Sequence, residues 1–474
     1  MKATFTFAKT LLVIFLFSMN SNYAQTYTFP DESEPHEGTW LAWPHSFEYG
    51  AAYRNENDAT WVAMTNALQA NEKVHIIAYN TTERTRITNL LTAASVPLTN
   101  VNFIIKTTND VWMRDTGGIF VRNSAGALVM QDWGFNGWGG DYAFDKDNTV
   151  PTAMGTATGL TPLNLNSILT IEGGSWELDG AGTFLATKSA ITAQTNPTTP
   201  TGIKALRNVG KTQAQVEAIL TQYIGATKFI WLDGWFSQDD ITDAHIDGFA
   251  KFAPGNKLVT MSQADLLYWG APQSDIDKLY AASNVNNVVY TKVIIPLTAN
   301  NVQPTSGAAL TYNGSYANYY VANNRVLVPN YNDPNDAVAN AIIAGLYPGR
   351  TVVGIDCRNL YKSGGMVHCV TQQQPTTALG TVNHTLENSI DLGIYPNPTN
   401  GNASIRFSLT ETKSIKVEIY NIIGTKVGEV KETNYNIGEN TIALNSSNLS
   451  NGVYICQISS EGKQIASTKL VISK

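Results

Sequence analysis

Four short stretches place a reactive side chain beside glycine: Trp112-Met113-Arg114-Asp115-Thr116-Gly117-Gly118, Ile171-Glu172-Gly173-Gly174, His245-Ile246-Asp247-Gly248 and Gly364-Gly365-Met366-Val367-His368-Cys369. Glycine lets a backbone turn sharply and approach a ligand closely. Each stretch follows or ends an apolar run, so the reactive groups sit where a rigid scaffold meets a loop. Together they offer one cysteine, one acid/base histidine and several carboxylates, the parts of a thiolate nucleophile with a proton shuttle. A free cysteine has a pKa of about 8.5 and needs help to ionise, from His245 or from a cationic substrate. Asp115 and Asp247 are two anions in one set. A neutral substrate has no need of both, whereas a planar guanidinium can give two parallel N–H bonds to each. The chemistry indicated is attack on a guanidinium carbon.

Each assignment has a plainer alternative. Asp115 could pair with Arg114 at a surface, His245 could be a core histidine, and Cys369 a buried apolar thiol. Cys357 fits that last role better, and Cys456 reads as structural. His36 and His368 read as local hydrogen-bonders. Trp112, Trp133 and Trp138 could be core, or could wall a site for an aliphatic arm topped by a cation.

Positioning these groups requires a repeated element. With Asn318 of Tyr316-Ala317-Asn318-Tyr319-Tyr320 included, the intervals along the chain scatter around about sixty residues, as expected of β/α modules that each lend one residue to a common centre. Val74–Tyr79, Val101–Ile105, Phe229–Leu232 and Val288–Ile295 read as buried strands. Trp61, Met64 and Leu68 mark one helix face, as do Val216, Ile219, Leu220 and Tyr223. Val338, Ile342 and Leu346 mark another, with Asn335 or Asp336 as N-cap after Pro334. The fold class is α/β up to Pro375. After a polar linker, 376–390, the stretches Ser414–Tyr420, Asn440–Leu444 and Gly452–Ile458 alternate between Asn/Gly/Ser turns, so 391–474 reads as a small all-β sandwich.

Composition sets the outer bounds. The 474 residues are 43% apolar and 15% charged, enough for a large core, with a net charge of −7 that disfavours nucleic acid as a partner. Lys2 and Lys9, the apolar run Leu11–Phe17 and the exit Asn22-Tyr23-Ala24 read as a secretory signal peptide, residues 1–24. The run is too short to span a bilayer, and no transmembrane helix is expected elsewhere. Cys357, Cys369 and Cys456 are too few, and odd in number, for a disulfide scaffold. The six histidines show no metal-binding spacing.

In this order, with Glu34–Pro44 and Phe135-Asn136-Gly137-Trp138-Gly139-Gly140, the motifs resemble the agmatine deiminase and bacterial peptidylarginine deiminase family over about Pro30–Pro375. The resemblance implies a pentein fold, a five-bladed α/β propeller, for the catalytic domain, 25–375. It implies Cys369 as nucleophile, His245 as general acid/base, Asp115 and Asp247 as a guanidinium clamp and Glu172 as the group orienting His245. Trp112, Asn318 and Trp138 would line the substrate pocket, and no metal or organic cofactor would be required. Ser363 precedes Gly364-Gly365 where the family usually has a third glycine; Met366, Ile241 and Gly248 also depart from its usual residues. The Phe135–Gly140 segment lacks arginines to hold a peptide carboxylate, which favours agmatine over an arginine peptide as substrate.

The last module resembles the type IX secretion sorting domain through Ile394-Tyr395-Pro396-Asn397-Pro398-Thr399-Asn400-Gly401, Leu449–Tyr454 and Lys469–Ile472. It implies the type IX machinery as partner, passage through the periplasm, and a secreted or outer-membrane-surface location. Two rival functions remain at this level. One is a non-catalytic surface binding protein. The other is a thiol amidase, which would need an oxyanion hole rather than a carboxylate pair.

Overall fold

The computed structural model describes residues 27–193, 206–236, 240–377, 392–409, 411–421, 425–460 and 463–474, together with the backbone of 198–199 and 202–203. The expected signal peptide lies outside these residues, as does most of the expected linker. The chain divides into two compact units, Met1–Gly380 and Thr381–Lys474. Among the described residues no helix is long and apolar enough to cross a membrane.

The first unit uses one strand pattern five times. Ile119–Asn123 pairs antiparallel with Leu128–Gly134, which pairs parallel with Leu163–Thr170. The same order, antiparallel then parallel, joins Trp176–Leu178, Thr183–Thr187 and Lys228–Leu232. It recurs in Ala250–Ala253, Lys257–Thr260 and Thr291–Ile294, and in Tyr320–Ala322, Arg325–Asn330 and Thr351–Asp356. In the fifth sheet the chain's two ends meet: Gln372–Pro375 pairs antiparallel with His36–Ala42, which runs parallel to Lys73–Ala78. Every parallel step needs a crossover, and helices supply it. Val150–Thr158, Gln213–Ile224, Asn335–Leu346 and Ser46–Leu68 each bridge one step, and Gln263–Trp269 with Gln273–Tyr280 bridges another. The sheets stay separate, and no closed sheet forms among the described strands.

Local sequence explains these elements. Thr212 and Gln215 form a reciprocal capping box at the start of Gln213–Ile224, whose Val216, Leu220 and Ile224 are buried. In Ser46–Leu68 the expected face Trp61, Met64 and Leu68 is fully buried. Three expectations are corrected. Val101–Ile105 is a strand but not a buried one; it lies at a sheet edge with Ile105 exposed. The stretch Val288–Ile295 is not a buried strand; only Thr291–Ile294 is extended, at a sheet edge, with Val288 and Val289 exposed. Asn335–Leu346 buries Ala339, Ile343 and Leu346, not Val338, which is exposed. Its N-cap is Pro334, and the Asp336 carboxylate accepts instead from the backbone N–H groups of Tyr331 and Asp333.

The second unit has two sheets. Leu392–Tyr395, Asn402–Leu409 and Gly438–Asn445 form one; Lys426–Tyr435, Lys413–Asn421, Gly452–Ser460 and Lys463–Ile472 form the other. Period-two alternation puts Ile405, Phe407 and Leu409 against Ile415, Val417, Ile419, Cys456 and Ile458 in one shared core.

Candidate active site

Each reactive motif lies just ahead of the first strand of a repeat. Asp115 ends its turn before Ile119–Asn123, Glu172 precedes Trp176–Leu178, and His245 precedes Ala250–Ala253. Asn318 precedes Tyr320–Ala322, and Cys369 precedes Gln372–Pro375. The period in the sequence is therefore the period of the strand pattern.

Six of the eight residues expected at the site line one cavity of about 390 Å³: Trp112, Asp115, Trp138, His245, Asp247 and Cys369. That volume suits a small-molecule pocket. Glu172 and Asn318 stand behind it, both fully buried. Asp115 is buried, not at a surface; its Oδ1 accepts from the Gly174 backbone N–H at 3.0 Å and its Oδ2 from Trp138 Nε1 at 2.9 Å. Arg114 turns away and donates to Gln373 Oε1 at 2.8 Å. Trp138 reaches Asp115 from a left-handed backbone, φ 54°, flanked by Gly137 at 66° and Gly139 at 89°, a course that glycine neighbours make accessible.

His245 sits between carboxylates. Its Nδ1 is 3.8 Å from Asp115 Oδ1 and its Nε2 is 3.6 Å from Glu172 Oε2. Burial opposes a charge on the ring, but Asp115, Glu172 and Asp247 together push its pKa up to about 9. Burial pushes Asp115 up, eased by His245. Burial also works against the Glu172 anion, but Arg207 and then His245 hold its pKa below the usual carboxylate range. Arg207 stands in no motif of the sequence. Its Nε donates to Glu172 Oε1 at 3.0 Å and its Nη1 to Asp243. Asp243 and Ala244 are both left-handed, φ 64° and 65°, so this guanidinium anchors the strained approach to His245.

Asn318 ties the other half together. Its Nδ2 lies 3.1 Å from the Asp247 carbonyl and 3.3 Å from Cys369 Sγ, and its Oδ1 accepts from the His368 backbone N–H at 2.8 Å. Cys369 Sγ is 3.8 Å from Asp247 Oδ2. Burial, then Asp247 and Asp115, push the thiol well above its usual pKa, which disfavours the thiolate. Cys357 and Cys456 are fully buried and outside the cavity. His36 does bond locally, to the Glu32 carbonyl at 2.9 Å. His368 is not local: its Nδ1 lies 2.9 Å from Asp247 Oδ2, across 121 residues of chain.

Two glycines are required by contact. A Cβ on Gly174 would lie 2.8 Å from His245 Nδ1 and 3.0 Å from both Asp115 Oδ1 and Asp247 Oδ2, in the middle of the charged groups. A Cβ on Gly365 would lie 2.2 Å from the Trp112 ring. Among the described residues no group of three or more His, Cys, Asp or Glu side chains could hold a metal ion.

Known proteins share this arrangement of chain. The Legionella pneumophila (strain Paris) relative assigned as an agmatine deiminase is 31% identical over 355 residues, which is 73% of this chain and 94% of that one. The Streptomyces coelicolor relative with the same assignment is 31% identical over 367 residues, 74% of this chain and 100% of that one. The crystal structure of an assigned arginine deiminase from Porphyromonas gingivalis superposes with a TM-score of 0.62 at 29% identity, covering 74% of this chain and 99% of that one. The C. jejuni agmatine deiminase with substrate bound shares the fold, with a TM-score of 0.62 at 22% identity over 74% of this chain and 97% of that one. At the C-terminus, residues 393–473 match the secretion system C-terminal sorting domain. Residues 28–375 match the Porphyromonas-type peptidyl-arginine deiminase description, and the chain belongs to that family of guanidino C–N hydrolases.

Proposed function

We propose that this is an exported deiminase that converts agmatine to N-carbamoylputrescine and ammonia through a covalent bond to Cys369. The observation that carries the reading is the pairing of two buried carboxylates, Asp115 and Asp247, on one cavity with Cys369 and His245. A guanidinium between them would offset both negative charges. The carboxylate part of the field against the Cys369 thiolate would then be offset, the bound cation would counter the cost of burial, and the thiol could lose its proton to solvent in the open cavity. Sγ attacks the guanidinium carbon. His245, protonated near neutral pH by its raised pKa, gives its proton to the leaving nitrogen as the C–N bond breaks. Ammonia departs and a thiouronium remains on Sγ. Water then attacks the same carbon, His245 takes a proton from it, and the C–S bond breaks to release the ureido product. Glu172 orients His245, Asn318 holds Cys369, and Trp112 and Trp138 wall the pocket.

The lining supports an amine tail over a carboxylate one. Among the described residues of this cavity none is Lys or Arg, and Trp235, Tyr268, Trp269 and Tyr312 add aromatic wall. Such walls suit an aliphatic arm ending in a cation. The five repeats, in this reading, circle one axis as propeller blades, each lending a residue to the centre. Residues 25–375 form the catalytic domain. Residues 1–24 direct passage to the periplasm, and 391–474 engage the type IX machinery for release to the surface or the medium.

Ammonia release tests the proposal, with agmatine, free arginine and an arginine peptide supplied separately to the wild-type protein and to Cys369→Ser. Turnover of agmatine, lost in the variant, is the expected result. Preference for the peptide would assign peptidylarginine instead. Binding without ammonia from any of the three would mark a surface binding protein.

A further inference from the structure

His368 and Cys369 are neighbours in one short turn, His368–Val370, yet they face different spaces. Cys369 lines the large cavity with Asp115 and His245. His368 lines a second cavity of about 40 Å³ with Glu32, Arg114, Glu177 and Lys251, and the two cavities share no lining residue. Arg114 and Asp115 divide in the same way. A thin wall of the first-strand approaches thus separates an active cavity from a charged chamber behind it.

The His368 ring crosses that wall and is 2% exposed. Its Nδ1 is 2.9 Å from Asp247 Oδ2, and its Nε2 is 2.7 Å from Glu32 Oε2 and 3.1 Å from Lys251 Nζ. A carboxylate oxygen only accepts, so Nδ1 faces Asp247 Oδ2 as a donor, and by the same rule Nε2 faces Glu32 Oε2 as a donor. Lys251 Nζ also reaches Glu32 at 3.1 Å and Glu177 at 3.2 Å, while Arg114 Nη2 is 3.5 Å from Glu32. The remaining neighbours act on the backbone or from the ring face. The Asn318 Oδ1 accepts from the His368 N–H, Arg114 Nε donates to the His368 carbonyl at 3.4 Å, and the Tyr320 ring lies 6.4 Å away. The Asp247 oxygen held by Nδ1 is the one that lies 3.8 Å from Cys369 Sγ.

We propose that His368 is a positioning residue for the reaction: from the rear chamber, braced by Glu32 and Lys251, it donates through Nδ1 to Asp247 and fixes that carboxylate as an oriented anion beneath the guanidinium. This rests on the reading above that Asp247 clamps the substrate. Burial works against an anion at Asp247, and the bond from His368 is the strongest influence that restores it, keeping its pKa below the usual range. Lengthening or losing that one donor would free the carboxylate to rotate and to take up a proton.

Two substitutions separate positioning from packing. An asparagine amide can sit where Nδ1 sits, and a glutamine amide where Nε2 sits. His368→Gln should therefore lower kcat/KM on agmatine by about 10- to 100-fold, as expected for loss of a charge-assisted bond. It should also move the acid limb of the kcat/KM profile upward by about one pH unit, because Asp247 without its donor protonates at higher pH. His368→Asn should recover at least about tenfold of the loss and return the acid limb. Glu32→Gln, which keeps Nδ1–H on Asp247 but removes the anion behind the ring, should move the limb the same way by less. If His368→Gln does not fold, the comparison of His368→Asn with Glu32→Gln decides. A profile and kcat/KM unchanged in His368→Gln would overturn the proposal, as would a His368→Asn no better than His368→Gln when both melt like wild type. Asp247→Asn is measured alongside. If it keeps its turnover, the clamp reading itself fails; if it is inactive while His368→Gln is unaffected, only the role of His368 falls.

Discussion

Replacing Asp247 by asparagine should make the cysteine more acidic while it destroys activity. Cys369 Sγ lies 3.8 Å from Asp247 Oδ2, and the carboxylate disfavours the thiolate. Two unit charges at that separation interact by about 1 kcal/mol in bulk water and about 4 kcal/mol at the effective dielectric of a protein surface. At about 1.4 kcal/mol per unit, removing the charge should lower the Cys369 pKa by roughly one to three units. Asparagine can also donate to a thiolate, which works in the same direction. The assay is the pH dependence of iodoacetamide alkylation, read at Cys369 by mass spectrometry; Cys357 and Cys456 are fully buried and should react far more slowly. Saturating guanidinium should shift the wild-type curve the same way, since the bound cation offsets the same charge. A Cys369 pKa that is unchanged or higher in Asp247→Asn would refute the electrostatic account, whatever happened to turnover.

Gly174→Ala should reduce kcat/KM by at least about 100-fold while the fold survives on a melting curve, because the new methyl would stand 2.8 Å from His245 Nδ1 and displacements below an ångström are costly at a reacting centre. Arg207→Leu leaves Glu172 and Asp243 buried without their shared cation, and should lower unfolding stability in urea by about 3–5 kcal/mol. His245 has a folded pKa raised to about 9 against about 6.5 unfolded, so its contribution to stability is full below about pH 6.5 and is lost as pH rises through 9. Urea midpoints of wild type and His245→Gln should accordingly converge between pH 6.5 and 9; a constant gap would mean that the ring is neutral in the fold. A chain ending near Thr385 should retain full specific activity, since every site residue lies in the first compact unit, and its export from the native host should fail. Normal export would remove the sorting role from the β module.

Much of the site was legible because each repeat presents its chemistry at the same place. A glycine-flanked turn entering the first strand leaves a mark in sequence even when the repeats share little else, and the recurrence of Asp115, Glu172, His245, Asn318 and Cys369 near that turn follows the strand pattern. Arg207, Glu32 and Lys251 carry no such mark. Arg207 meets Glu172 across 35 residues and Glu32 meets His368 across 336, so their roles exist only once the repeats are brought together. The elements misjudged were those whose burial depends on a neighbour. Thr291–Ile294 has β propensity but lies at a sheet edge, and Asn335–Leu346 has apolar residues on two adjacent faces, only one of which meets the core.

The carboxylates impose a condition that neither the motif order nor the fold states. Clamping a guanidinium calls for two anions, and a cysteine nucleophile calls for their absence. In the proposed reaction the substrate resolves the conflict, because the cation that the carboxylates would bind is also one that would favour the thiolate. His245 obeys the same logic from the other side. The anions that disfavour the thiolate raise the imidazole to about 9, and in the proposed mechanism this keeps the proton that the leaving nitrogen takes. In the proposed reaction, the carboxylates thus disfavour the Cys369 thiolate while they favour the protonated His245. A neutral thiol is also slow to oxidise, an advantage for a chain with one cysteine open to a cavity and an expected destination outside the cell.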